Sequence, residues 1–249
     1  MPRQVLFLYN DPTAPAALLG DAFTESGFDV GTFNVVTPEM ADDPVCDVTF
    51  PNPLRYDAIV ALGARWAVYD ERLADSWVAG EMAMVRTALS GGVGVLGVCF
   101  GGQLLAQALG GMVQRSPTPE IGWHDVHSSR PDLVPGGPWF QWHFDRFTAP
   151  PGATVIARND CAAQAFSHGR ALGLQFHPEV DLALAQRWID EDTAGDMAGL
   201  RIEPDDLVAR TAREVDDAAR RLRQLVRGFL STLENPVADD GQHCAHSRR

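Results

Sequence analysis

The chain has 249 residues, 45% apolar and 21% charged, with a net charge of −13. That balance fits one globular domain, or one domain with extensions, and excludes a mostly disordered chain. No stretch approaches the ~18 uncharged apolar residues of a membrane span. The acidic balance argues against a nucleic-acid partner, and all twenty basic residues are Arg, which excludes chemistries that need a Schiff-base or P-loop Lys.

In chain order, the apolar run Val5–Tyr9 reads as a first strand rather than a secretion signal. Residues 14–26 read as a helix that stops at Gly27, and Val30–Val36 alternates apolar with polar. Ala58–Gly63 is a buried-strand run, residues 77–89 have helical spacing, and Val93–Val98 is another buried strand with a short helix after it. This alternation predicts an α/β fold: a mostly parallel central sheet flanked by helices. From Met112 to Leu174 short apolar runs broken by Pro and Gly predict a smaller antiparallel section, with residues 131–138 as a surface loop.

A helix is predicted over residues 182–192. Leu207, Thr211, Val215, Ala218, Leu222, Leu225, Phe229 and Leu233 then mark one face of an amphipathic helix that starts near Pro204. The expected organisation is a domain over residues 1–200, a packed C-terminal helix over 201–234 and a disordered tail over 235–249. His243, Cys244 and His246 lie in that tail and are too loosely held to predict a metal site. The four cysteines (46, 99, 161 and 244) show no CxxC pairing, which predicts free thiols and a cytoplasmic protein.

The strongest chemical signal is Gly97-Val98-Cys99-Phe100-Gly101-Gly102-Gln103. A buried strand ends, Cys99 sits at the junction, and small residues open a helix, as in a nucleophile elbow. A tight strand-to-helix turn projects the thiol outward and aims the helix's first amides at it, which favours negative charge on sulfur and on an attacked carbonyl oxygen. A buried structural Cys before a Gly-rich turn is the alternative. A base is offered by His177-Pro178-Glu179, delivered by the buried run Ala171–Phe176, with Glu179 placed to orient the imidazole. Taken alone, that tripeptide is more often a surface or capping feature.

Together, G-x-C-x-G-x-Q at 97–103 and F-H-P-E at 176–179 resemble the class I glutamine amidotransferases, the triad-type glutaminases. Glu120-Ile121-Gly122-Trp123 and Trp142-His143-Phe144-Asp145 are similar to segments of the stand-alone group related to the amidotransferase domain of GMP synthetase. The resemblance runs from about Val5 to Val180. It implies a flavodoxin-like three-layer sandwich and a triad of Cys99 as nucleophile, His177 as base and Glu179 as its orienting partner. It also implies an oxyanion hole from the amides of Ala64 and Phe100. Gln103, His143, Phe144, Asp145 and Arg65 fall where the substrate binds, and no metal or cofactor is implied. The sequence departs from the pattern in having Gly63-Ala64-Arg65 for Gly-Gly-Pro, Phe144 for Gly and Gly102 for the commonest residue, His.

The expected activity is hydrolysis of a γ-glutamyl amide (glutamine, a γ-glutamyl peptide or a γ-glutamyl amine) through a thioester on Cys99. Two alternatives stand beside it: a glutaminase subunit that feeds ammonia to a separate synthetase partner, and a non-catalytic interaction module. Oligomeric state is left open.

Overall fold

The computed structural model describes residues 2–234. The tail from 235 onward, including His243, Cys244 and His246, lies outside the described residues. The elements are β1 (Arg3–Tyr9), α1 (Ala17–Glu25), β2 (Phe28–Asn34), β3 (Ala58–Ala61), α2 (Glu71–Leu73), α3 (Ala79–Ser90), β4 (Gly94–Val98) and α4 (Phe100–Ala108). There follow β5 (Met112–Ser128), β6 (Gly137–Thr148), β7 (Thr154–Arg158), β8 (Ala163–His168), β9 (Ala171–Leu174), α5 (Leu182–Asp190), α6 (Asp196–Gly199) and α7 (Pro204–Glu234).

One nine-stranded sheet runs β2-β1-β3-β4-β9-β8-β7-β5-β6. The first five strands pair in parallel and the rest antiparallel. Every residue of β3, β4 and β9 is buried, because helices cover both faces and an unbroken apolar run is what such strands require. Val5, Phe7, Val60 and Leu96 pack towards α1 and α7, meeting Leu19, Phe23, Leu225 and Phe229. Leu6, Leu8, Ile59 and Val95 face the other way, onto Met84, Val85, Leu104 and Leu105 of α3 and α4. A third core, with Ile121, Trp123, Phe140, Leu184, Met197 and Leu207, joins the antiparallel strands to the C-terminal helices.

The differences from the sequence expectations have local causes. Helix α1 starts at Ala17, not at residue 14, because a turn closes from the Ala14 amide to the Asp11 carbonyl and Ala17 itself has φ +37°. The helical pattern at 77–89 enters through a π turn at Ala74–Val78, where Ser76 is non-helical. The middle section holds two long strands, not short ones only: β5 has 17 residues with a register break between Arg115 and Glu120, and β6 has 12. β6 was hidden because its inward face carries Gln141, His143 and Asp145, all buried, which inverts the usual alternation.

Candidate active site

Cys99 stands at the carboxyl end of β4, beside the carboxyl ends of β3 and β9, where open α/β sheets place their ligands. Its backbone is strained, with φ +50° and ψ −108°, a region a Cβ-bearing residue enters only when the surroundings fix it. The fixing is visible on both sides. The Cys99 amide donates to the Leu174 carbonyl at 2.9 Å, and its carbonyl accepts from the Gln103 amide at 2.9 Å. Glycine is demanded next to it by close approach: a Cβ at Gly101 would lie 2.0 Å from the Ala61 carbonyl oxygen, and one at Gly102 2.2 Å from that of Leu174. The chain's Gly102 is therefore a steric necessity here. Phe100 opens α4, so its amide belongs to the first-turn donors that lack an intrahelical acceptor.

His177 follows β9 and is only 5% exposed. Its amide donates to the Phe140 carbonyl at 2.8 Å, so the far end of the antiparallel section curls back to hold it. Its Nδ1 meets the Glu179 carboxylate at 2.7 Å, its ring packs edge-on to Trp188, and it hydrogen-bonds with the Cys99 thiol. Burial, the largest influence, opposes charge on the ring, but the carboxylate of Glu179 and the sulfur of Cys99 outweigh it and raise the His177 pKa to about 10. The imidazole thus holds its proton at neutral pH.

The loop after β3 lies under this pair. A Cβ at Gly63 would sit 3.0 Å from His177 Cε1 and 3.7 Å from the Cys99 Cβ. Asp11, just past β1 and 1% exposed, holds the loop: its carboxylate accepts from the Arg65 amide at 3.2 Å and from the Arg65 Nε at 2.8 Å and Nη2 at 3.1 Å. Burial raises the Asp11 pKa, but the Arg65 and Thr13 hydrogen bonds outweigh it and the net shift is downward. Arg65 is therefore committed to Asp11, with its outer face in the cleft. One step behind, the fully buried Glu81 accepts from Asn10 at 3.1 Å, and Asn10 also donates to the Leu62 carbonyl. Burial pushes the Glu81 carboxyl up to about 8, the Asn10 hydrogen bond only partly opposing it.

The other candidates lie along β6 and on α4. Trp142 offers its carbonyl 3.9 Å from the Cys99 sulfur, and its ring lines the cleft. His143 is buried behind it, with Nδ1 3.0 Å from the Asp145 carbonyl and Nε2 3.2 Å from Glu120. The Gln103 side chain donates to the same Asp145 carbonyl at 3.1 Å. The Asp145 carboxylate accepts from the Tyr69 hydroxyl at 2.8 Å, and Phe144 lies under the Arg115 guanidinium. None of these four lines the open cleft, whereas Ala64, Arg65, Trp142 and His177 do.

Sequence reasoning missed Asp11, Thr13, Trp188 and the turn at 191–196, which complete the walls. Asp11 had a usable signal, an acidic residue just beyond the first parallel strand. Trp188 had none, since only the tertiary fold brings α5 to His177.

The class-I glutamine amidotransferase family model matches residues 50–192. The glutamine-hydrolysing GMP synthase of Thermus thermophilus is 38% identical over 147 residues, 55% of this chain and 29% of that relative. The matched stretch spans about a third or less of the length of the curated GMP synthases it resembles. A glutamine amidotransferase from Thermotoga maritima superposes with a TM-score of 0.78 at 27% identity, over 92% of this chain and 99% of that one. A second, from Methylobacillus flagellatus, has a TM-score of 0.79 at 21% identity, over 99% of this chain and all of its own (100%).

Proposed function

The chain belongs to the class-I glutamine amidotransferase family, and we propose that it is a cysteine-dependent hydrolase of γ-glutamyl amides. Cys99 gives its thiol proton to His177 and attacks the side-chain amide carbon as the thiolate, and the developing oxyanion is met by the amides of Phe100 and Ala64. His177 gives its proton to the leaving nitrogen, and a γ-glutamyl thioester remains on Cys99. Water then attacks the thioester, His177 takes its proton back, and glutamate leaves. Glu179 keeps the imidazole in one tautomer and supports its charge. Gln103, His143 and Asp145 act from behind, by holding the Trp142–Phe144 strand that the glutamyl group lies against.

The observation that carries this reading is the convergence at Gly63: the His177 ring and Cys99 meet above it, with Glu179 on the opposite ring nitrogen. Glutamate release from glutamine and γ-glutamyl amides by the purified protein, with Cys99→Ala as the blank, tests it. Release that persists in the blank refutes the assignment of the nucleophile.

One observation favours a second reading, a glutaminase that serves a separate synthetase. The Thermus thermophilus relative named as a GMP synthase is matched over only 29% of its length. Under that reading the protein alone releases no glutamate from any substrate, yet Cys99 is alkylated by a glutamine-like electrophile.

A further inference from the structure

A cavity of about 190 Å³ opens beside His177. A cavity of ~150 Å³ accepts benzene, so the space greatly exceeds what ammonia needs. Its location matters for the chemistry. The nitrogen released in the first step must take the His177 proton, so anything attached to that nitrogen extends into the cavity His177 lines.

The walls are built, not loose. Trp188 Nε1 donates to the Thr13 carbonyl at 2.8 Å, and its ring stands at 81° to that of Trp142 with centroids 6.1 Å apart. The 191–196 turn is tied down by Asp192, whose carboxylate accepts from the amides of Asp196 and Met197 at 2.9 and 3.0 Å. The charge of the lining is one-sided. Arg65 is neutralised by Asp11, while Glu191, Asp192 and Asp196 leave the outer wall negative.

We propose that this cavity is a leaving-group subsite, and that the preferred substrate is a γ-glutamyl amide of an alkyl diamine. The methylene chain runs along the indoles of Trp142 and Trp188, and the distal ammonium is held by their π faces and the 191–196 carboxylates. An anionic leaving group meets repulsion at the same wall. The step is the one above: the Cys99 S–C bond forms as the amide C–N bond breaks, and the His177 proton goes to the departing nitrogen. A water proton then returns to His177 as the C–S bond breaks, and the diamine and glutamate are the products. This inference rests on the hydrolase reading.

The test compares kcat/KM for γ-glutamylputrescine, the neutral γ-glutamylbutylamide, the anionic γ-glutamylaminobutanoate and glutamine, using the full-length protein. The expected order is γ-glutamylputrescine first, about tenfold or more above glutamine, with the anionic amide last. The charge-only double variant E191Q/D196N keeps the wall's shape and narrows the lead of γ-glutamylputrescine over γ-glutamylbutylamide by about tenfold. Glutamine turned over as fast as the substituted amides, or a lead that survives the double variant, overturns the subsite and leaves the hydrolase reading intact. No glutamate from any of the four overturns both.

Discussion

The two halves of the sheet hold the candidate site by different means. The parallel half fixes Cys99 by shape: β3, β4 and β9 are wholly buried, and the elbow is closed by contacts of glycine with backbone carbonyls. The antiparallel half fixes His177 and the Trp142 wall by buried polar groups. Glu120 accepts from Asn159 at 2.6 Å and Gln164 at 3.0 Å while it pairs with His143, and Gln141 donates to Gln164 at 2.9 Å. Steric fixing tolerates no added volume, whereas polar fixing tolerates volume but not the loss of a partner. One site thus depends on two kinds of precision.

Gly101→Ala breaks the first half most severely. A methyl group 2.0 Å from the Ala61 carbonyl forces the elbow apart, with an expected loss of about 3 kcal/mol in stability and near-complete loss of glutamate release. Denaturant unfolding and a turnover assay check both. An alanine variant of normal stability contradicts the steric account.

In the second half, Glu120→Gln keeps the volume and removes the charge opposite His143. Its stability falls by about 1–3 kcal/mol, and the loss in kcat follows from a loosened β6. Burial raises the Glu120 pKa, but the His143 partner first, then the other groups around it, outweigh this and hold it below the usual value. Its contribution is therefore present above the ordinary glutamate pKa and lost on acidification. The wild-type-to-variant gap in stability should close as the pH falls below about 4; a gap unchanged by pH contradicts the ionic role.

Asp11 joins the two modes, since it is a polar anchor on a parallel-sheet loop. Asp11→Ala frees the Arg65 amide and guanidinium, loosens the loop that carries the neighbouring Ala64 amide, and should lower kcat about tenfold with little change in KM for glutamine, because an oxyanion donor matters most in the transition state. A rise in KM alone would make Asp11 a ground-state contact instead.

The remaining effect is one of pH, at Glu81. Its folded pKa of about 8 lies well above the ordinary glutamate value of 4.5. The unfolded chain therefore releases this proton first, and stability declines as pH rises between those values. Glu81→Gln removes that slope, so its stability relative to the wild type rises with pH across the same window. A parallel decline in the variant would assign the slope to another group.

The same contrast explains what could be read in the sequence. The runs around Val93–Val98 and Ala171–Phe176 are legible because strands buried on both faces leave no other pattern, and Cys99 and His177 stand where those runs end. β6 is illegible because its core face carries Gln141, His143 and Asp145, and their partners lie far along the chain: Gln164 for Gln141, Glu120 for His143, and Tyr69, 76 residues away, for Asp145. The cleft walls are harder still. Trp188 and the 191–196 turn reach His177 only through packing of α5 on the third core, and no local spacing records that.

Mass spectrometry of the protein, acid-quenched during turnover of a γ-glutamyl amide, probes the chemistry at its covalent step. The mechanism requires a γ-glutamyl adduct on the peptide that carries Cys99, present with substrate and absent from Cys99→Ala. Steady glutamate release with no adduct on Cys99, or with the adduct on another residue, would contradict it.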